Sequence, residues 1–180
     1  MDQILPAEPL GCHALIVTES DQVAALATGL AYGFAVWPNP EVPNWRAGVY
    51  TIWDDEAFLY VGMAGRGLPD NAHLSPEAQA SNRNRGLRDR LNSHASGRRS
   101  GDQFCVYVCD RLILSTLSQG DITKVAAGEM SLDALTREYI RDRLSYRFVV
   151  SETAKDAFHL EEIVRLAGLD GAKPLLNPKI

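Results

Sequence analysis

The sequence predicts a mixed α/β fold of the α+β kind, and two features of its pattern support that prediction. Two β-rich runs, GVYTIW and FLYVGMAG, are separated by the polar turn DDEA, which is typical of an antiparallel hairpin. Helical periodicity follows in residues 86–97 and 131–144. With 180 residues, of which 46% are hydrophobic, the chain is long enough to bury the core of one domain.

The first 45 residues are interpreted as an N-terminal extension. The run HALIVTES has the composition of a strand, and DQVAALATGLAYGFAV predicts a helix with Ser20 or Asp21 as its N-cap. The proline-rich stretch WPNPEVPNW then ends the extension near Trp45. Residues 46–180 are therefore expected to form the main domain.

Within the main domain, residues 64–84 are rich in Gly, Pro, Asn and Ser and predict a long inserted loop. Residues 86–97 then predict an amphipathic helix, which ends at Gly97. The run DQFCVYVCDRLIL has nearly continuous apolar residues, and we interpret it as a buried strand. A helix with Ser131 as its N-cap, the short strand YRFVV and a helix over residues 152–167 complete the prediction.

Positive charge is concentrated in one segment, although the chain as a whole has a net charge of -5. Residues 83–99 contain six arginines and one aspartate, enough positive charge to contact several phosphates. An ordinary solvated helix face mixes charges of both signs, so this segment predicts nucleic-acid binding. The arginines are Arg83, Arg85, Arg88, Arg90, Arg98 and Arg99.

Other features narrow the class of protein and its location. The chain has no apolar run of the ~18 residues that a membrane span needs, and it begins without the pattern of a secretory signal. We therefore expect a cytoplasmic protein with no membrane partner. The cysteines Cys12, Cys105 and Cys109 lack the partners of a metal site and are expected to be reduced thiols.

The predicted hairpin carries two triplets that identify a family. Gly48-Val49-Tyr50 begins the first strand, and Tyr60-Val61-Gly62 lies in the second. The pair resembles the signature of the GIY-YIG nucleases, with valine replacing isoleucine in both triplets. The resemblance extends over residues 47–178 and implies a small, mainly antiparallel GIY-YIG sheet flanked by helices.

Three further elements of that family follow in the expected order. An arginine and a histidine one helical turn apart are matched by Arg90 and His94, which share one helix face. A glutamate that precedes apolar residues is matched by Glu161 in LEEIV, where Glu162 is the alternative. An asparagine after a proline is matched by Asn177 in KPLLNP.

The resemblance implies a metal-dependent endonuclease that hydrolyses phosphodiester bonds in DNA. Tyr50 would act as the general base if nearby positive charge lowers its pKa, and His94 would accept or orient its proton. Arg90 would hold a phosphate oxygen through its planar guanidinium.

The remaining motif residues complete the implied chemistry. Tyr60 would position the water or a phosphate, and Asn177 would orient the phosphate or a neighbouring ligand. Glu161 would hold Mg²⁺, or another divalent cation such as Mn²⁺. Restriction-type members resemble the chain in being short and in having an Arg-x-x-x-His helix. Cutting both strands of a palindrome requires either a symmetric dimer or two successive nicks, and the symmetry of the reaction favours the homodimer. The alternatives are a non-cleaving nucleic-acid-binding module with the same fold and a purely structural interaction domain.

Overall fold

The protein folds around a four-stranded antiparallel sheet in a computed structural model that describes residues 18–81 and 85–177. The strands are β1 (Tyr32–Gly33), β2 (Gly48–Asp54), β3 (Ala57–Ala64) and β4 (Leu144–Val150), in the order β1-β4-β2-β3. The helices are α1 (Glu19–Thr28), α2 (Pro76–Ser81), α3 (Leu87–Ala95), α4 (Gln103–Val108), α5 (Gln119–Ala126), α6 (Leu132–Arg143) and α7 (Ala154–Ala167). The predicted α+β class is confirmed.

Strand β2 lies in the middle of the molecule because its two faces enter different hydrophobic cores. Val49 and Trp53 pack with residues of α1 and α7. Tyr50 and Ile52 pack on the opposite side, with residues of α3, α4 and α6. The sheet is therefore the central layer of three, and β3 forms one of its edges.

The predicted hairpin is confirmed. Strands β2 and β3 pair in antiparallel register, with Gly48 opposite Ala64 and Tyr50 opposite Gly62. The connecting turn includes Asp55, whose φ of 50° lies in the left-handed region that aspartate tolerates better than most residues. The two triplets of the signature thus lie side by side on neighbouring strands.

The N-terminal extension differs from its prediction at both ends of the helix. Helix α1 begins after Thr18, which forms a capping box with Asp21, so neither Ser20 nor Asp21 is the N-cap. The helix ends at Thr28, and the residues that follow form β1 and a 3-10 turn over Phe34–Val36. Phe34 is fully buried in the core beside α6, so tertiary packing determines the conformation here. Most of HALIVTES lies outside the described residues.

The segment predicted as a long loop contains helical structure. A 3-10 turn covers Ala72–Leu74, and α2 follows it. Ser75 starts α2 by accepting a hydrogen bond from the backbone N–H of Ala78. In the described parts of the chain, no helix has the length and apolar character needed to cross a membrane.

The strand predicted for DQFCVYVCDRLIL is wrong, since this run forms α4 and a π-helical turn over Cys109–Ile113. Asp102 caps the start of α4, and its Oδ1 accepts from the backbone N–H groups of Phe104 and Cys105. A nearly continuous apolar run does not distinguish a buried helix from a buried strand. Cys105 and Cys109 are buried free thiols, as expected.

Candidate active site

A cleft of about 410 Å³ opens beside the C-terminal end of β3. Because β3 is an edge strand, side chains from the helical layers on both sides of the sheet reach this cleft. Helix α3 contributes Arg90, and α7 contributes Glu161 and Arg165. Tyr50, Tyr60 and Arg66 also line it. Four of the six side chains selected from the sequence therefore meet in one concave site.

Gly62 allows the two tyrosines to approach each other. The Tyr50 and Tyr60 rings lie 6.4 Å apart between centroids, and the Tyr50 hydroxyl passes over Gly62. A Cβ atom at Gly62 would overlap that hydroxyl and lie 2.9 Å from Cε1 of Tyr60. The glycine of the second triplet is thus required by a close contact with the tyrosine of the first.

A chain of hydrogen bonds leads away from the floor of the cleft. The Tyr50 hydroxyl lies 2.8 Å from Nε2 of His94. Nδ1 of His94 lies 2.7 Å from Oδ2 of Asp102. The three residues are 1%, 2% and 3% exposed, respectively. Asp102 was not selected from the sequence. An aspartate directly before a helix indicates an N-cap, but the apolar run that follows Asp102 was predicted to be a strand.

Burial controls the protonation of both tyrosines. Burial raises the pKa of Tyr50 well above its usual value; Tyr60 adds to this rise, and Arg90 opposes it. Burial likewise raises the pKa of Tyr60, to about 12. The condition set for Tyr50 as a general base, a pKa lowered by nearby positive charge, is therefore not met, because burial outweighs the charge of Arg90. Both phenols are neutral near pH 7, so Tyr50 can accept a proton only if its own proton leaves in the same step.

Glu161 supplies the carboxylate of the cleft. Its side chain is 13% exposed, and Oε1 lies 3.5 Å from Nε of Arg165. Burial raises the pKa of Glu161, whereas the positive charge of Arg165 lowers it. Glu162 is not among the lining residues, so Glu161 is the better placed of the two acids selected from LEEIV.

The residues of the cleft fit a hydrated divalent cation better than a cation enclosed by protein ligands. In residues 18–81 and 85–177, no three His, Cys, Asp or Glu side chains form a metal-binding group. A single half-buried carboxylate facing a polar cleft suits Mg²⁺, which keeps several of its water ligands. Glu161 would hold such an ion.

Two cationic side chains of the cleft were not selected from the sequence. Arg66 follows β3, and its Cζ lies 5.9 Å from the centroid of the Phe158 ring. Arg165 lies one helical turn after Glu161, and its buried Nε has no hydrogen-bond acceptor among the described residues. With Arg90, three guanidinium groups face one carboxylate. This surplus of positive charge suits a polyanion.

The arginine-rich segment does not form one uniform cationic surface. Arg88 donates to the backbone carbonyls of Val42 and Asn39, and Arg99 forms an ion pair with Asp133, with Nε 2.8 Å from Oδ1. Both guanidinium groups bind groups of the protein itself, and their predicted contact with DNA stays a prediction. Arg85 and Arg98 are exposed, and Arg83 lies outside the described residues.

Asn177 is bonded to the backbone of β3 and is not among the residues that line the cleft. Its Oδ1 accepts from the backbone N–H of Val61, and its Nδ2 donates to the carbonyl of the same residue, both at 2.9 Å. Leu175 and Leu176 also donate backbone hydrogen bonds to β3. Asn177 therefore helps to fix the strand that carries Tyr60.

Comparison with known proteins gives no relative for this chain. No protein-family model matches it, no curated protein matches it, and no solved structure matches it. The GIY-YIG assignment therefore depends on the residues and geometry of this chain alone.

Proposed function

We propose that the protein is a metal-dependent endonuclease that hydrolyses phosphodiester bonds in DNA by a GIY-YIG-type mechanism. One observation carries the proposal: Tyr50, Tyr60, Arg90 and Glu161 line a single cleft, with the Tyr50 hydroxyl 2.8 Å from His94. Hydrolysis of a phosphodiester needs a deprotonated water and neutralisation of the charge that develops on the phosphate oxygens. The cleft contains groups for both tasks.

In the proposed reaction, Tyr50 and His94 move the proton of the attacking water. The Tyr50 hydroxyl accepts that proton while its own proton passes to Nε2 of His94, so no charged tyrosinate forms beforehand. Arg90 binds a non-bridging phosphate oxygen through a charge-assisted hydrogen bond. Tyr60 positions the water or the phosphate.

A divalent cation held by Glu161, Mg²⁺ or Mn²⁺, would supply Lewis-acid stabilisation of the leaving oxygen. Arg165 is the present ion-pair partner of Glu161 and would become available for a phosphate oxygen. Arg66 also lines the cleft and would offer a contact to a second phosphate.

The biological setting is proposed from the same features. We infer a restriction-type enzyme that acts on DNA in the cytoplasm, because Arg90 and His94, one helical turn apart on α3, resemble the pair found in restriction-type members. Cutting both strands requires either two active sites or two successive nicks, and we infer a homodimer from that symmetry.

The proposal is tested by incubating supercoiled plasmid with the purified protein and Mg²⁺ or Mn²⁺, with EDTA as a blank. We expect nicking by the wild type and a loss of about 10²- to 10³-fold in Glu161→Gln, because the cation loses its carboxylate. Glu162→Gln is the matched control, since this neighbouring acid does not line the cleft, and it should cleave as the wild type does.

Two outcomes would count against the proposal. Absence of nicking in either metal ends the enzymatic interpretation, and salt-sensitive DNA binding without cleavage then favours the non-cleaving module. Equal activities of Glu161→Gln and the wild type would remove the carboxylate from the mechanism.

A further inference from the structure

We propose that Asp102 is a positioning residue that holds His94 in one tautomer, so that Nε2 can accept the hydroxyl proton of Tyr50. Asp102 Oδ2 lies 2.7 Å from Nδ1, and the Tyr50 hydroxyl lies 2.8 Å from Nε2. A carboxylate only accepts hydrogen bonds, so Nδ1 carries the proton and Nε2 presents its lone pair to Tyr50. The catalytic consequence of this arrangement rests on the proposed function.

The surroundings of His94 hold the imidazole in place. The Phe104 ring lies 4.7 Å from it and the Tyr60 ring 6.1 Å, measured between centroids. The residue is 2% exposed, so bulk water does not compete for either ring nitrogen. The charged groups of the neighbouring cleft are Arg66, Arg90, Glu161 and Arg165, and no hydrogen bond joins any of them to the imidazole among the described residues.

The orientation of Asp102 is fixed by the start of α4. Oδ1 accepts from the backbone N–H groups of Phe104, at 3.1 Å, and Cys105, at 3.4 Å, which leaves Oδ2 for His94. Burial raises the pKa of Asp102, but hydrogen bonds from His94 and Ser93 bring it below the usual value. The group is therefore an ionised acceptor at neutral pH.

The proton transfers balance without any further reactant. The water oxygen forms a bond to phosphorus as its proton moves to Tyr50 Oη, and the Tyr50 proton moves to Nε2. The phosphorus–oxygen bond to the leaving group breaks, and the alkoxide is protonated from solvent. The resulting imidazolium is paired with Asp102 until it returns its proton to solvent.

Asp102→Asn tests this role directly. The backbone N–H groups of α4 require an acceptor, so the amide oxygen should keep the place of Oδ1 and the NH₂ group should face Nδ1. That donor forces the proton of His94 onto Nε2, which can then no longer accept from Tyr50. We expect ¹⁵N NMR to show His94 protonated at Nδ1 in the wild type and at Nε2 in the variant.

The kinetic expectation follows from the change of tautomer. The kcat of Asp102→Asn should fall by about 10²- to 10⁴-fold, the usual contribution of a proton-transfer partner, with KM within about twofold of the wild type. Asp121→Asn is the matched control. Asp121 is also a capping aspartate, it lies in α5 and does not line the cleft, and its loss should change neither the His94 spectrum nor kcat.

A second variant determines whether Asp102 acts through His94. In a His94→Ala background, adding Asp102→Asn should lower kcat by less than about twofold. If Asp102→Asn lowers kcat in the His94→Ala background as much as it does in the wild type, the inference is overturned. It is also overturned if NMR shows His94 of the wild type protonated at Nε2. If the wild type never cleaves DNA, the proposed function fails, while the NMR comparison still decides whether Asp102 sets the tautomer.

Discussion

Among single residues, Gly62 has the most direct physical reason for its identity. Its backbone lies under the hydroxyl of Tyr50, where any Cβ atom would overlap that oxygen. The hydroxyl must reach Nε2 of His94 at 2.8 Å, so even a methyl group on β3 would displace it from its hydrogen-bond partner. Glycine is therefore required at position 62 by the neighbouring Tyr50 side chain. The backbone angles of this residue do not themselves require glycine.

For this reason we expect Gly62→Ala to remove most of the nicking activity while the protein stays folded. Displacement of a reacting group by about 1 Å costs roughly 10²-fold in rate, and the overlap with Tyr50 requires a movement of that order. Gly67→Ala is the matched control, because a Cβ atom there meets nothing within 4 Å. Equal kcat values for the two variants would show that Tyr50 does not need its present position.

Residue type and order identify the paired tyrosines, Arg90, His94 and Glu161 in the sequence, but they do not indicate where a guanidinium group points. Arg88 and Arg99 belong to a run of arginines and yet bind groups of the protein itself. Arg66 and Arg165 stand outside that run and line the cleft. These assignments depend on long-range packing, and local charge density contains no information about it.

Among the elements, the predictions are best where the pattern is periodic and the termini carry clear signals. The hairpin and α6 agree with the sequence because a polar turn and the Ser131 cap mark them. Helix α4 was misassigned because its apolar residues are nearly continuous and its length is only six residues. The N-cap Asp102 was the available signal, and its meaning depended on the assignment of the run that follows.

Helix α3 also holds the segment that precedes β2, and Arg88 makes that contact. We expect Arg88→Ala to lower the free energy of unfolding by about 1–3 kcal/mol, because two backbone carbonyls, at Asn39 and Val42, lose a charged donor. Arg85→Ala, three residues earlier and exposed, should leave stability unchanged and weaken DNA binding.

Urea unfolding and a salt titration of DNA affinity separate these two effects. If Arg88→Ala is as stable as the wild type but binds DNA more weakly, this arginine contacts DNA, as the sequence predicts.

In the molecule as a whole, the candidate site joins all three layers. Tyr50 comes from the sheet, His94 from the α3 layer and Glu161 from the α7 layer, so the site forms only when both hydrophobic cores are assembled. This arrangement destabilises the ionised form of Glu161, because the fold keeps its carboxylate partly out of water.

Global stability should therefore rise when this carboxylate is removed in the absence of metal. Because the pKa of Glu161 is raised in the folded state, its ionised carboxylate destabilises the fold. This destabilisation is absent below the pKa of the unfolded chain, near pH 4, where the carboxyl is protonated in both states. It grows as the pH rises through the pKa of the folded state. In EDTA at neutral pH, Glu161→Gln should melt above the wild type, by about 2–4 °C for each kcal/mol recovered in a chain of this size.

Thermal melts at neutral pH and near pH 4 check this expectation, with Glu162→Gln as the control. Mg²⁺ should raise the melting temperature of the wild type and leave that of Glu161→Gln unchanged. A variant that melts below the wild type at neutral pH would show that the ion pair with Arg165 outweighs the burial of the carboxylate.

The backbone pairing of residues 175–177 with β3 affects more than the strand that carries Tyr60. Exposed sheet edges invite a second chain to add a strand, which leads to aggregation. Residues 175–177 cover Phe58, Leu59 and Val61 with main-chain and amide hydrogen bonds, and the backbone beyond them, from Gly62 to Arg66, lines the cleft together with Tyr60. The same short segment thus shields the sheet against self-assembly and marks the boundary at which a substrate backbone can approach it.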